Sequence, residues 1–224
     1  MLLRPLIIAI AQPASTNRSP SMLAQQQGRT LIDFTDGSVA QDFRAVDDRI
    51  MGGSSVSRVI HAVSGFTSFE GDLIVEGGGF ASVRYDKPFL LPPDCEALSL
   101  EACGDGRMGY KITLQTPSGA QGISYQYVLP LDESASDEDG FTTLRIPLSA
   151  FKASVRGRSA PEAPPLRAAD VRSLGLMLSR YEPAGGGPKE SIKAGPFQLL
   201  LRRLAVADSD LAINGRRWVQ KVVR

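Results

Sequence analysis

The residues able to do chemistry are few. The chain has a single histidine, His61, flanked by Ile60 and Ala62 in a segment that reads as a strand. A Ser-His-Asp or Cys-His mechanism would have to recruit it, yet Ser64-Gly65 lacks the Gly-x-Ser-x-Gly frame of a nucleophile elbow. One histidine and two separated cysteines cannot assemble a Cys/His zinc site. Gly77-Gly78-Gly79-Phe80-Ala81-Ser82 has the glycines of a phosphate loop but not their spacing, and a strand follows where such a loop must open a helix. No Walker A lysine pattern occurs. The acids that remain are Asp47 and Asp48, which point to opposite sides if the chain is extended, and Asp105, with which either could pair in the manner of a glycosidase. The Gly52-Gly53 that follows favours a turn in which the carboxylates cap backbone amides. No metal and no cofactor is expected.

The elements that must position these residues are strands. Leu98, Leu100 and Ala102 alternate with Ser99, Glu101 and Cys103. The same period of two runs through Tyr110, Ile112 and Leu114, through Ile123, Tyr125, Tyr127 and Leu129, through Leu174, Leu176 and Leu178, and through Phe197, Leu199 and Leu201. Further candidates are 57–63, 66–75, 80–85 and 142–147, and only 166–171 hints at a helix. Gly104-Asp105-Gly106, Pro92-Pro93 and Gly185-Gly186-Gly187-Pro188 punctuate them. With 22 glycines, 15 prolines and 224 residues, the pattern predicts a single all-β domain of sandwich or jelly-roll type.

Composition narrows the partners. A net charge of +1 gives no field toward nucleic acid or an anionic membrane. No segment has the roughly 18 apolar residues of a membrane span. Cys95 and Cys103 lie eight strand steps apart, roughly 26 Å, against the 7 Å or so a disulfide allows, so both are expected as free thiols in an intracellular, soluble protein. Residues 1–30, acid-free with Arg4, Arg18 and Arg29, read as a disordered or targeting leader. The acidic run 132–139 reads as a solvated loop, and 207–224, with Trp218 among Arg216, Arg217, Lys221 and Arg224, as a basic tail or arm.

Several segments carry a resemblance. Asp47-Asp48-Arg49-Ile50-Met51-Gly52-Gly53-Ser54-Ser55 resembles the Asn/Asp-Asp-x-x-Met-Gly-Gly-x-Ser motif of the complex I intermediate-associated protein 30 family. In order along the chain, Gly78-Gly79-Phe80-Ala81-Ser82-Val83-Arg84 is similar to its Gly-Gly-Phe-x-Ser-x-Arg, and Gly104-Asp105-Gly106-Arg107 with Tyr110 to its Gly-Asp-Gly-Arg-x-Tyr. Pro147 with Phe151, Arg156-Gly157-Arg158, Ser173-Leu174-Gly175-Leu176 and Gly195-Pro196-Phe197-Gln198-Leu199 complete the series across 31–206. Phe43 and Phe141 stand where the family commonly has tryptophan, and 132–139 looks like an insertion.

The resemblance implies a galactose-binding-domain-like β-sandwich that serves, without catalysis, as an assembly factor or chaperone. Its partners would be protein subunits of a membrane complex, respiratory complex I-like or photosynthetic, or their assembly intermediates, in a mitochondrial matrix, plastid stroma or bacterial cytoplasm. Asp48, Met51, Gly52, Gly53, Arg84, Asp105, Arg107, Arg156 and Arg158 are the partner-binding candidates it marks. Two readings of the 47–55 loop stand side by side, a rim that touches a partner and a plug that closes the sandwich. The arginines either form a basic patch or pair with Asp47, Asp48 and Asp105. Two alternative functions remain: a carbohydrate-binding module, with Tyr125 and Tyr127 as a stacking platform, and a hydrolase using Asp47, Asp48 and Asp105.

Overall fold

Two antiparallel sheets face each other. The computed structural model describes residues 28–117, 122–131, 136–155, 158–182 and 192–208, without the side chains of Ile50 and Met51. The leader up to residue 27, Arg156, Gly185-Gly186-Gly187, residues 132–135 of the acidic run and the tail from 209 onward, with Trp218, lie outside the described residues. Thirteen strands are described: β1 (Thr30–Asp33), β2 (Phe43–Ala45), β3 (Val56–His61), β4 (Thr67–Leu73), β5 (Phe80–Tyr85), β6 (Ala97–Gly104), β7 (Tyr110–Thr116), β8 (Ile123–Val128), β9 (Thr142–Pro147), β10 (Lys152–Val155), β11 (Arg158–Ser159), β12 (Ser173–Ser179) and β13 (Gly195–Val206). One sheet runs β3-β4-β13-β6-β9, with β1 also paired to β13, and the other runs β11-β10-β8-β7-β12-β5-β2. The all-β jelly-roll expectation holds, and 166–171 contributes only a single 3-10 turn, Ala168–Asp170.

The alternation read from sequence is the inner face of each sheet. Phe69, Leu98, Leu100, Leu199 and Leu201 meet Ala81, Val83, Ile112, Leu114, Leu174, Leu176 and Leu178 in one buried cluster. Each such side chain contributes about 1.5–3 kcal/mol by leaving water. Tyr125 and Tyr127 also face this core rather than solvent. The Tyr125 hydroxyl donates to the Pro164 carbonyl at 2.8 Å, and the Tyr127 ring packs 5.7 Å from that of Phe151. Sequence alternation assigns the two tyrosines a common face but not which face, and the inner one leaves no sugar-stacking platform there.

The long strand β13 breaks its own alternation. Its register to β6 shifts between Leu201 and Arg203, an irregularity of the bulge type. Arg202 and Arg203 both reach Glu101, at 3.6 and 2.8 Å. Arg202 also pairs with Asp137 at 2.8 Å and Asp139 at 3.0 Å, its guanidinium 4.0 Å from the centre of the Phe141 ring. Asp137, Glu138 and Asp139 are exposed, as the solvated-loop expectation has it, and Arg202 in addition anchors this described part of the acidic run to the sheet. The anchor was not legible locally, because Arg202 is 63 residues or more away in sequence. Cys95 and Cys103 form no disulfide, one lying before β6 and one near its end.

Candidate functional site

Strand registers bring most of the marked segments to one end of the sandwich. The start of β3, the end of β4, the start of β5, the β6–β7 turn, the end of β12 and the start of β13 all meet there. The 47–55 segment sits among them.

Asp47 opens a 3-10 turn over Asp48–Met51, and Gly52 ends it at φ +90°, a left-handed conformation that glycine adopts without strain. The turn drives the Asp48 carboxylate inward, where the residue has no exposed surface. One oxygen accepts the Ser55 N–H at 3.0 Å. The other accepts the Gly79 N–H at 2.8 Å, the Phe80 N–H at 3.2 Å and the Ser55 hydroxyl at 2.9 Å. Ser55 in turn accepts the Ile74 N–H at 3.1 Å. Burial alone would raise the Asp48 pKa, but the hydrogen bonds from Gly79, Ser55 and Phe80 outweigh it and hold the carboxyl below its ordinary 3.8. Gly53 and Gly78 wall the carboxylate in: a Cβ on Gly53 would lie 2.2 Å from Asp48 Cγ, and one on Gly78 2.1 Å from Oδ2.

Asp47 does the same one residue earlier. It accepts the N–H and hydroxyl of Ser57 at 3.0 and 2.6 Å and the Ser82 N–H at 2.9 Å. The Ser82 hydroxyl donates to the Val46 carbonyl. Ser57 belongs to β3 in one sheet and Ser82 to β5 in the other. The adjacent acids are thus rivets between sheets, each satisfied by hydroxyl and amide donors rather than by arginine.

A third acid repeats the device. Asp105 accepts the Gln198 N–H at 3.1 Å and the Tyr110 hydroxyl at 3.0 Å and pairs with Arg107 at 2.8 Å. Arg107 donates to the carbonyls of Lys193, Gly195 and Pro196, which ties the β6–β7 turn to the start of β13. Burial, followed by the Asp105 charge, raises the Tyr110 pKa. Of the acid–arginine pairings open from sequence, Asp105–Arg107 forms. Arg84 lies elsewhere, on β5 directly opposite Arg44 of β2. Burial, with the Arg44 charge, lowers its pKa. Arg158 is exposed on the edge strand β11. Among the described residues, Arg84, Arg107 and Arg158 therefore do not gather into one basic patch. Nor does Asp48 face a cleft: its oxygens are taken and its walls are glycine backbone, so no substrate reaches it. Among the described residues no three metal-binding side chains cluster, and no helix is long and apolar enough to cross a membrane.

Sequence reading missed Ser57, Lys111, Arg180 and Tyr181. Ser57 lies just beyond the marked loop, but nothing local tells which acid it serves. Tyr181 donates its hydroxyl to the Gly78 carbonyl at 2.9 Å, and Arg180 donates to Val75 O at 3.3 Å. Lys111 is only 2% exposed and donates to the Tyr181 carbonyl. Burial lowers its pKa to about 8, against a smaller opposing pull from Glu182. An unfolded lysine titrates near 10.4 or so. Between about pH 8 and 10.4 the unfolded chain thus holds a proton that the native state lacks, and stability rises with pH across that window. Lys111→Met is expected to remove this rise. Urea midpoints of both proteins at about pH 7 and pH 9.5 measure it, and an unchanged wild-type minus variant difference would refute the burial cost.

The protein is thus a two-sheet antiparallel β-sandwich, closed at one end by internally satisfied loops. Solved structures similar to it include a family 11 carbohydrate-binding module from Clostridium thermocellum in complex with a mixed-linked tetrasaccharide, at 15% identity and TM-score 0.48, covering 80% of this chain and 96% of that one. A carbohydrate-binding module specific for non-crystalline cellulose is 12% identical at TM-score 0.48, covering 82% and 96%. The model of the family Complex I intermediate-associated protein 30 (CIA30) matches residues 32–201, and the chain belongs to that family. An uncharacterized protein of Schizosaccharomyces pombe is 28% identical over 177 residues, 70% of this chain and 78% of the relative.

Proposed function

We propose that the chain is a non-catalytic binding module that acts in the assembly of a membrane protein complex of the respiratory complex I type. In this role it holds a subunit or assembly intermediate against the riveted end of the sandwich. Membership of the complex I intermediate-associated family over residues 32–201 carries the reading. The site supports it because the marked acids spend their oxygens on building a surface. Met108 is 61% exposed, Tyr181 40% and Val128 39%, all at this end, with Gly52 exposed beside them. Exposed apolar side chains on a rigid frame suit protein recognition, methionine being the most adaptable of them. Asp48, Gly53, Asp105 and Arg107 shape the surface from beneath.

The test is affinity purification of the tagged full chain from its own cells in mild detergent. Membrane-complex subunits are expected to co-purify, and Met108→Glu with Val128→Lys to reduce them several-fold while the fold persists. Recovery of the free monomer alone would overturn the proposal.

A further inference from the structure

At the opposite end of the sandwich lies a groove of about 630 Å3. Pro93, Pro147, Leu148 and Leu166 line it, with Arg145 and Glu96 among its walls. Arg145 is half-buried, and no described residue bonds or pairs with its guanidinium. A groove of this size holds a large side chain with its neighbours.

The chain itself leaves the sandwich at this place. β13 runs antiparallel to β6, with Val206 opposite Leu98, and the Ala207 N–H donates to the Ala97 carbonyl at 2.9 Å. The next residues alongside β6 are Glu96 and Cys95, both of the groove wall. The last described residue, Asp208, therefore ends beside it. Residues 209–224 contain Leu211, Ile213, Val219 and the chain's only tryptophan, Trp218. Ten residues from Asp208 to Trp218 reach up to about 33 Å when extended, and Asn214-Gly215 permits the chain to turn back.

We infer that the C-terminal segment 209–224 seats in this groove, with the Trp218 indole between the prolines and leucines and against the Arg145 guanidinium. The chemistry matches on both counts. An indole face is the best aromatic partner for an arginine lacking a carboxylate. Arg216 and Arg217, just before the tryptophan, meet Glu96 and the exposed Asp94 of the same loop.

Tryptophan emission of the full-length protein tests this, since Trp218 is the only reporter. The folded protein is expected to emit to the blue of the same protein in urea and to be quenched several-fold less by acrylamide. Ala169→Arg places a long side chain in the groove from an exposed lining position. It is expected to move the emission to the red and restore quenching, with the far-ultraviolet circular dichroism unchanged. Equal quenching in folded and unfolded protein, or shielding that survives Ala169→Arg, would overturn the assignment. Shielding that disappears on dilution would also overturn it, because the groove would then hold the tail of a second copy.

Discussion

Replacing Asp48 by alanine is expected to cost about 3–5 kcal/mol of stability, because three buried N–H groups and one hydroxyl lose their acceptor at once. The groups come from Ser55, just before β3 of one sheet, and from Gly79 and Phe80, at the start of β5 of the other. For a chain of this size that is roughly a 6–20 °C fall in Tm, readable by calorimetry. The effect carries a pH signature. The folded carboxyl titrates below its ordinary value, so its stabilisation is fully present above about pH 4 and is lost as pH falls through the depressed folded value. The gap between wild type and Asp48→Asn should therefore narrow in acid. A fall in Tm of a degree or so at neutral pH would mean that the rivet is ornamental.

The second large effect concerns the residues that make room for that carboxylate. Gly53→Ala places a methyl about 2.2 Å from Asp48 Cγ, and the clash cannot relax cheaply while four donors grip the carboxylate. A cost of about 3 kcal/mol is expected, at the upper end for overpacking. In the Asp48→Ala background the obstacle is gone, so the same glycine change should cost far less. The double-mutant cycle should return a coupling of about 2 kcal/mol. Equal costs in both backgrounds would place the strain somewhere other than the Asp48 nest.

These two substitutions also explain what sequence could and could not reveal. The alternation of Leu98, Leu100 and Ala102, or of Leu174, Leu176 and Leu178, exposes a sheet's inner face because the pleat has a period of two. Strands as short as β2, β10 and β11 fall below any such period. The Asp-Asp and Gly-Gly of the 47–55 segment stood out as residue types, but their purpose depends on Gly79 and Phe80, more than thirty positions on. No local pattern reports that distance. Lys111 is the reverse case. A lysine on an alternating strand reads as solvent-facing, and only the return of the chain at Tyr181 buries it. The arginines stayed open between patch and pairing because their spacing says nothing of which strand edge they occupy; Arg84 and Arg158 sit apart from Arg107, which pairs with Asp105.

Both ends of the described chain leave by the same door. The Val206 N–H donates to the Arg29 carbonyl, so entry and exit are one hydrogen bond apart. The riveted loops stand a sheet-length away. A domain arranged like this resembles a plug on a two-wire lead. It can be spliced into a longer polypeptide or tethered from either terminus without disturbing the riveted end. Whatever holds the leads, the Met108 end points outward.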